Sequence, residues 1–130
     1  MNENIALVQS FYAAFNRGDI PFILERFTPD CEWDFEGPAE IPAAAHCRGT
    51  GEIAKVFQAI AAKETGHNLQ MTEFVADGNV VASFGTVTGT AKSTGRTYTI
   101  PMAHVFRIRD GKVYYHGAYA NTHAWAKSHQ

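Results

Sequence analysis

Cysteine is nearly absent: the 130 residues contain two, Cys31 and Cys47. They form no Cys-x-x-Cys or His-x-Cys pattern, so they read as reduced, packed thiols and not as a disulfide framework. Long apolar runs are also missing. No stretch approaches the roughly 20 residues that span a bilayer. Met1-Asn2-Glu3-Asn4 has neither the basic nor the apolar region of a secretion signal, which makes a cytoplasmic location the default expectation. Excess charge of either sign is lacking. The net charge is −2 with acids and bases interspersed, which disfavours nucleic acid and membranes as partners. Gly49-Thr50-Gly51 and Gly85-Thr86-Val87-Thr88-Gly89 lack the spacing and the following Lys-Ser/Thr of a phosphate-binding loop. His46 beside Cys47 has no recognisable metal-ligand spacing, so no metal is expected.

What the chain does have is apolar residues in periodic order. They make up 45% of the sequence, enough for a real core, and the length suits one domain spanning 1–130. Ile5, Leu7, Val8, Phe11, Tyr12 and Phe15 recur at spacings of three and four, which predicts a first helix ending near Gly18. Asp19 caps a second, with Pro21 in its first turn and Phe22, Ile23, Leu24 and Phe27 on its buried side. Cys31-Glu32-Trp33-Asp34-Phe35-Glu36 alternates apolar and acidic residues, as a half-buried strand does, with Trp33 and Phe35 inward and Asp34 outward. Residues 37–48 read as an irregular loop, and Glu52 to Glu64 as a third helix through Ile53, Val56, Phe57 and Ile60. Four long antiparallel strands follow: Leu69 to Ala76, Val80 to Thr90, Arg96 to Arg109 and Lys112 to Asn121. Helices segregated to one side of such a sheet make an α+β domain with a cavity between its layers.

The last two strands carry the most information. Asp110-Gly111 between β-rich runs signals a two-residue turn, and a turn fixes which side chains share a face. With Arg109 opposite Lys112, the simple register puts Ile108 on Val113, Phe106 on Tyr115, His104 on Gly117 and Met102 on Tyr119. One face is then apolar and aromatic with a single ionisable group, His104. His116 and Ala118 fall on the other face, although Gly117 invites a bulge that reverses the facing beyond it.

Val8-Gln9-Ser10-Phe11-Tyr12-Ala13-Ala14-Phe15-Asn16-Arg17-Gly18-Asp19 resembles the first helix and turn of the NTF2-like superfamily, which includes ketosteroid isomerases, SnoaL-type polyketide cyclases and limonene epoxide hydrolases. Phe27-Thr28-Pro29-Asp30-Cys31-Glu32-Trp33, Arg48-Gly49 and His104 through Val113 extend the resemblance over nearly the whole chain. It implies a cone: three N-terminal helices packed on a highly curved, mainly antiparallel sheet that encloses a pocket, with a homodimer formed through the outer sheet face. The small residues Ala103, Val105 and Ala118 are expected on that face.

The resemblance also implies where chemistry would sit. The isomerases' helix-one tyrosine matches Phe11, with Tyr12 next to it; their general base matches Phe35, with Asp34 beside it. Their second oxyanion donor matches His104, where the cyclases carry a histidine, and the cyclases' last-strand aspartate matches Ala118. The candidate catalytic residues are therefore His104 as proton donor or acceptor, Tyr119 or Tyr12 as hydrogen-bond donor and Asp34 or Asn121 as orienter. Tyr12, Trp33, Phe35, His46, Met102, Phe106, Tyr115 and Asn121 are the candidate ligand contacts. The expected function is binding of a small, largely apolar molecule, with cofactor-independent acid/base turnover as in an isomerase or cyclase. A non-catalytic binding or dimerisation module that has lost the carboxylates stands as the alternative.

Overall fold

The first two helices each begin where a side chain takes over an unpaired amide of the first turn. The computed structural model describes residues 2–130. Asn2 accepts from the Ile5 amide at the head of α1 (Glu3–Asn16), and Asp19 does the same for Phe22 at the head of α2 (Ile20–Glu25), with Pro21 in the first turn. Helix α3 spans Thr50–Lys63. The strands are β1 (Phe27–Phe35), β2 (Ala45–Arg48), β3 (Glu64–Asp77), β4 (Val80–Ala91), β5 (Thr97–Arg109) and β6 (Lys112–Ala120), followed by α4 (Thr122–Ser128). Among the described residues no helix is long and apolar enough to cross a membrane.

The sheet runs β2-β1-β6-β5-β4-β3, antiparallel throughout except for the parallel pair β1–β6. This is the curved open sheet of the expected α+β cone. Helix α1 lies across its concave side, burying Val8, Phe11, Tyr12 and Ala14. A buried aromatic such as Phe11, in T-shaped contact with Phe27, costs about 3–5 kcal/mol to truncate to alanine.

Three boundaries differ from the sequence reading. The first strand starts at Phe27, because Phe27 pairs with Val113 before the β1–β6 register shifts at Glu32. The loop 37–48 contains β2, whose four residues were too few to show a period. The third helix ends at Lys63, and Glu64 already has extended backbone, so His67 sits in a strand.

The Asp110-Gly111 turn forms, both residues having positive φ as the mirror-image turn requires. Arg109 pairs with Lys112 and Ile108 with Val113. A bulge then intervenes, and Arg107 pairs with Tyr115, Phe106 with His116, His104 with Ala118 and Ala103 with Tyr119. The reversal comes before Gly117, at Tyr114. It sends His116 and Ala118 inward and Tyr115 and Tyr119 outward.

Candidate functional site

The concave face carries one continuous cross-strand row, Phe74, Ser83, His104, Ala118, Phe35 and Ala45, and beside it another with Val81, Phe106, His116, Trp33 and Cys47. A cavity of about 60 Å³ lies between these rows and α1, lined chiefly by aromatic side chains. That is room for a few water molecules, well under the roughly 300–1,000 Å³ of pockets that enclose drug-sized ligands.

His104 is buried in this wall, stacked on Tyr12 at 5.6 Å between ring centroids. Its Nδ1 is 2.7 Å from Tyr12 Oη, which is in turn 2.5 Å from Ser83 Oγ. One proton arrangement gives every hydroxyl hydrogen a partner: Ser83 donates to Tyr12, and Tyr12 donates to His104 Nδ1. Assigned from this network, the ring proton sits on Nε2. His104 then offers a neutral N–H donor to whatever occupies the cavity it lines. Burial, reinforced by the neighbouring His116 and His67, holds its pKa well below the ordinary histidine value, and burial raises that of Tyr12 above the phenol range.

His116 was expected on the outer face. The bulge turns it inward, where it stacks on Trp33 at 4.1 Å and lies 5.0 Å from the His104 ring. Burial lowers its pKa to about 4, and its Nδ1 has no hydrogen-bond partner. Trp33 is anchored by Nε1 donating to the Ala43 carbonyl at 3.0 Å. Trp33, Phe35, Met102, Phe106 and Tyr12 all line the cavity.

Five of the candidate residues lie elsewhere. Tyr119 is 62% exposed and Tyr115 is outward, because the bulge reverses their facing. Asp34 stays on the outer face, where Tyr115 Oη donates to it at 2.8 Å and His46 Nδ1 closes on its other oxygen. His46 also reaches Glu36 at 3.2 Å, so it belongs to an outer polar cluster and not to the mouth of the cavity. Asn121 is taken up in capping α4, accepting from the Ala124 amide. Ala118 is buried inward, leaving Ala103 and Val105 on the outer face.

Sequence reasoning missed Ser83, although its period-two spacing from Val81 and Val87 already placed it on the inner face. It also missed a second polar group at the α4 end of the cone. Glu64, with no side-chain exposure, accepts from Tyr98 Oη at 2.6 Å and from Trp125 Nε1 at 2.7 Å, and pairs with His129 Nε2 at 2.6 Å. Tyr98 crosses Gly89 to reach it; a Cβ there would stand 2.6 Å from the Tyr98 oxygen.

The model of the SnoaL-like domain matches residues 8–116. The chain belongs to the SnoaL-like family. An NTF2-like protein from Burkholderia xenovorans LB400 is 32% identical over 98% of this SnoaL-like domain and 96% of its own chain, with a TM-score of 0.85. TerC, crystallised with polyporic acid, is 26% identical over 98% of each chain, with a TM-score of 0.88. A protein of Pseudomonas putida KT2440 provisionally called a polyketide cyclase is 25% identical over 98% of each chain, with a TM-score of 0.80. No functionally curated protein matches the SnoaL-like chain.

Proposed function

We propose that the cone binds a small, largely apolar molecule bearing one carbonyl or enol oxygen, and that His104 Nε2–H donates the hydrogen bond to that oxygen. The observation that carries this reading is the Ser83–Tyr12–His104 chain, which commits Nδ1 and leaves one ring nitrogen for the aromatic-walled cavity. Its neutral imidazole suits a hydrogen-bond donor better than a general base, because protonation must overcome full burial. The ligand-bound TerC and the cyclase name given to another relative support an organic ligand of this kind.

Binding comes before turnover in this reading. Asp34 faces out, Phe35 and Ala118 stand where the family resemblance implies the related enzymes' carboxylates, and the cavity is small. An isomerase- or cyclase-like step at His104 is the catalytic extension, drawing on protein side chains without a cofactor. The rival non-catalytic module is favoured by that same small cavity.

Acetophenone, one ring with one carbonyl, tests the His104 hydrogen bond by calorimetric titration, and its binding requires the cavity of about 60 Å³ to widen. The wild type is expected to bind it, and His104→Phe to lose about tenfold in affinity, the worth of one hydrogen bond. Equal affinity in the two proteins contradicts the proposed role of His104.

The outer face supports a homodimer as part of the proposal. Phe84, Ala103 and Tyr119 form a cross-strand row there, with Phe84 42% and Tyr119 62% exposed. A cytoplasmic setting accords with the free thiols of Cys31 and Cys47.

A further inference from the structure

The buried carboxylate at the α4 end has a neighbour with no assigned task. His67, on β3, has only 11% side-chain exposure, and neither ring nitrogen has a hydrogen-bond partner. Leaving a buried polar atom unpaired costs about 1–3 kcal/mol, so such an atom asks for an occupant. The ring lines the same cavity as His104 yet belongs to a different group of side chains: Phe15 meets it edge-on at 5.0 Å and Trp125 lies 6.0 Å away. Its Nε2 is 3.4 Å from Glu64 Oε1, within reach of charge attraction and outside hydrogen-bond alignment.

Glu64 is held from three other directions. Tyr98 binds Oε1, while Trp125 and His129 bind Oε2, so the carboxylate is fixed in place by β5, α4 and the residue that ends α4. That fixity is what a carboxylate needs in order to orient an imidazole and to stabilise the imidazolium that forms when the ring takes up a proton.

We propose that Glu64 and His67 form a proton-accepting pair serving the cavity, and that its ligands are weakly acidic phenols or enols. In the step proposed, the ligand O–H bond breaks and an N–H bond forms at His67 Nδ1. The electron pair stays on the ligand oxygen, Nε2–H turns to Glu64 Oε1, and no oxidant or reductant takes part. The resulting anion is a hydrogen-bond acceptor of the kind His104 Nε2–H is placed to meet. Burial holds free His67 neutral while Glu64 works in the opposite sense, so the lone pair is available before the ligand arrives. The titratable groups facing the ring's surroundings are Glu64, His129, Tyr98 and His104. The carboxylate that the family resemblance sought at positions 35 and 118 would then be supplied from the start of β3.

This inference rests on the cavity being a binding site, and 4-nitrophenol tests the two separately because its anion absorbs visible light. Titration of the wild-type protein is expected to show a bound probe whose pKa is lowered by at least about one unit relative to water. His67→Phe, which keeps an aromatic ring among Phe15 and Trp125, is expected to bind the neutral probe in acid with similar affinity, to bind its anion about tenfold more weakly, and so to lose the shift. Binding without a shift in the wild type, or a shift that survives in H67F, overturns the pair and leaves the binding reading standing. Absence of binding to the wild type overturns the binding reading and the pair with it. Should H67F not fold, long-range proton–nitrogen NMR of the wild type decides: an imidazolium at His67 in the probe-saturated protein supports the pair, and a neutral ring contradicts it.

Discussion

Tyr12 Oη stands 2.7 Å from His104 Nδ1, joining helix α1 to the middle of the sheet through a buried hydrogen bond. Tyr12→Phe removes the shared oxygen and leaves both Ser83 Oγ and His104 Nδ1 without their partner. The variant is expected to fold with about 1–3 kcal/mol less stability, read by urea denaturation. A loss below a few tenths of a kcal/mol would remove the chain from the account.

Acid should weaken the fold through its buried histidines. The His116 pKa is about 4 in the folded protein and about 6.5 in an unfolded chain, so the unfolded state binds the proton first as pH falls. Stability from this group is fully present above pH 6.5 and is lost as the pH drops towards 4. Between about pH 7.5 and pH 4.5 its share is about 2 kcal/mol. His116→Phe is expected to reduce the wild-type loss over that interval by a comparable amount, measured by denaturation at the two pH values.

Gly89→Ala tests the support of Glu64. The new Cβ falls 2.6 Å from Tyr98 Oη, on the residue directly opposite in β5, and displaces the phenol from the carboxylate. A destabilisation of about 1–3 kcal/mol is expected. Near-edge ultraviolet circular dichroism should change as well, because Tyr98 stacks on Trp125 at 5.0 Å.

The homodimer is checked by sedimentation equilibrium. Tyr119→Arg places a charge on the exposed row beside Ala103 and Phe84 and touches nothing in the cavity. A dimeric wild type and a monomeric Y119R are expected, while a monomeric wild type contradicts this part of the proposal.

The order of the first three helices and of five of the six strands was legible because α1, α3 and the long strands each repeat a clear period, and because Asp110-Gly111 fixes its own turn. His104 could be placed on the inner face for the same reason: it lies on the turn side of β5, where period two runs unbroken from Ile108 through Phe106. Beyond the turn Gly117 signalled a bulge, but nothing in the pattern placed it at Tyr114. Val113, Tyr115 and Tyr119 read as an apolar face just as well as His116 and Ala118 do, so one extra residue at Tyr114 reversed five assignments without leaving a trace in hydrophobicity. Glu64 and His67 are three residues apart on β3, but nothing in the sequence shows them buried, and only the closed tertiary fold brings His129, from the end of α4, onto the carboxylate. No local spacing encodes that meeting. The expected pocket role of Asn121 failed for a related reason, since its side chain caps a helix of seven residues that had no recognisable stripe.

The central claim is that His104 presents a neutral Nε2–H to the cavity. Long-range proton–nitrogen NMR of the imidazole rings measures this directly, before and after addition of acetophenone. The expected spectrum shows His104 protonated at Nε2 and bare at Nδ1 near neutral pH, with the Nε2 resonance, assigned by its absence from His104→Phe, moving as the ligand saturates. A proton on Nδ1, an imidazolium, or an Nε2 signal that stays fixed in the saturated protein contradicts it.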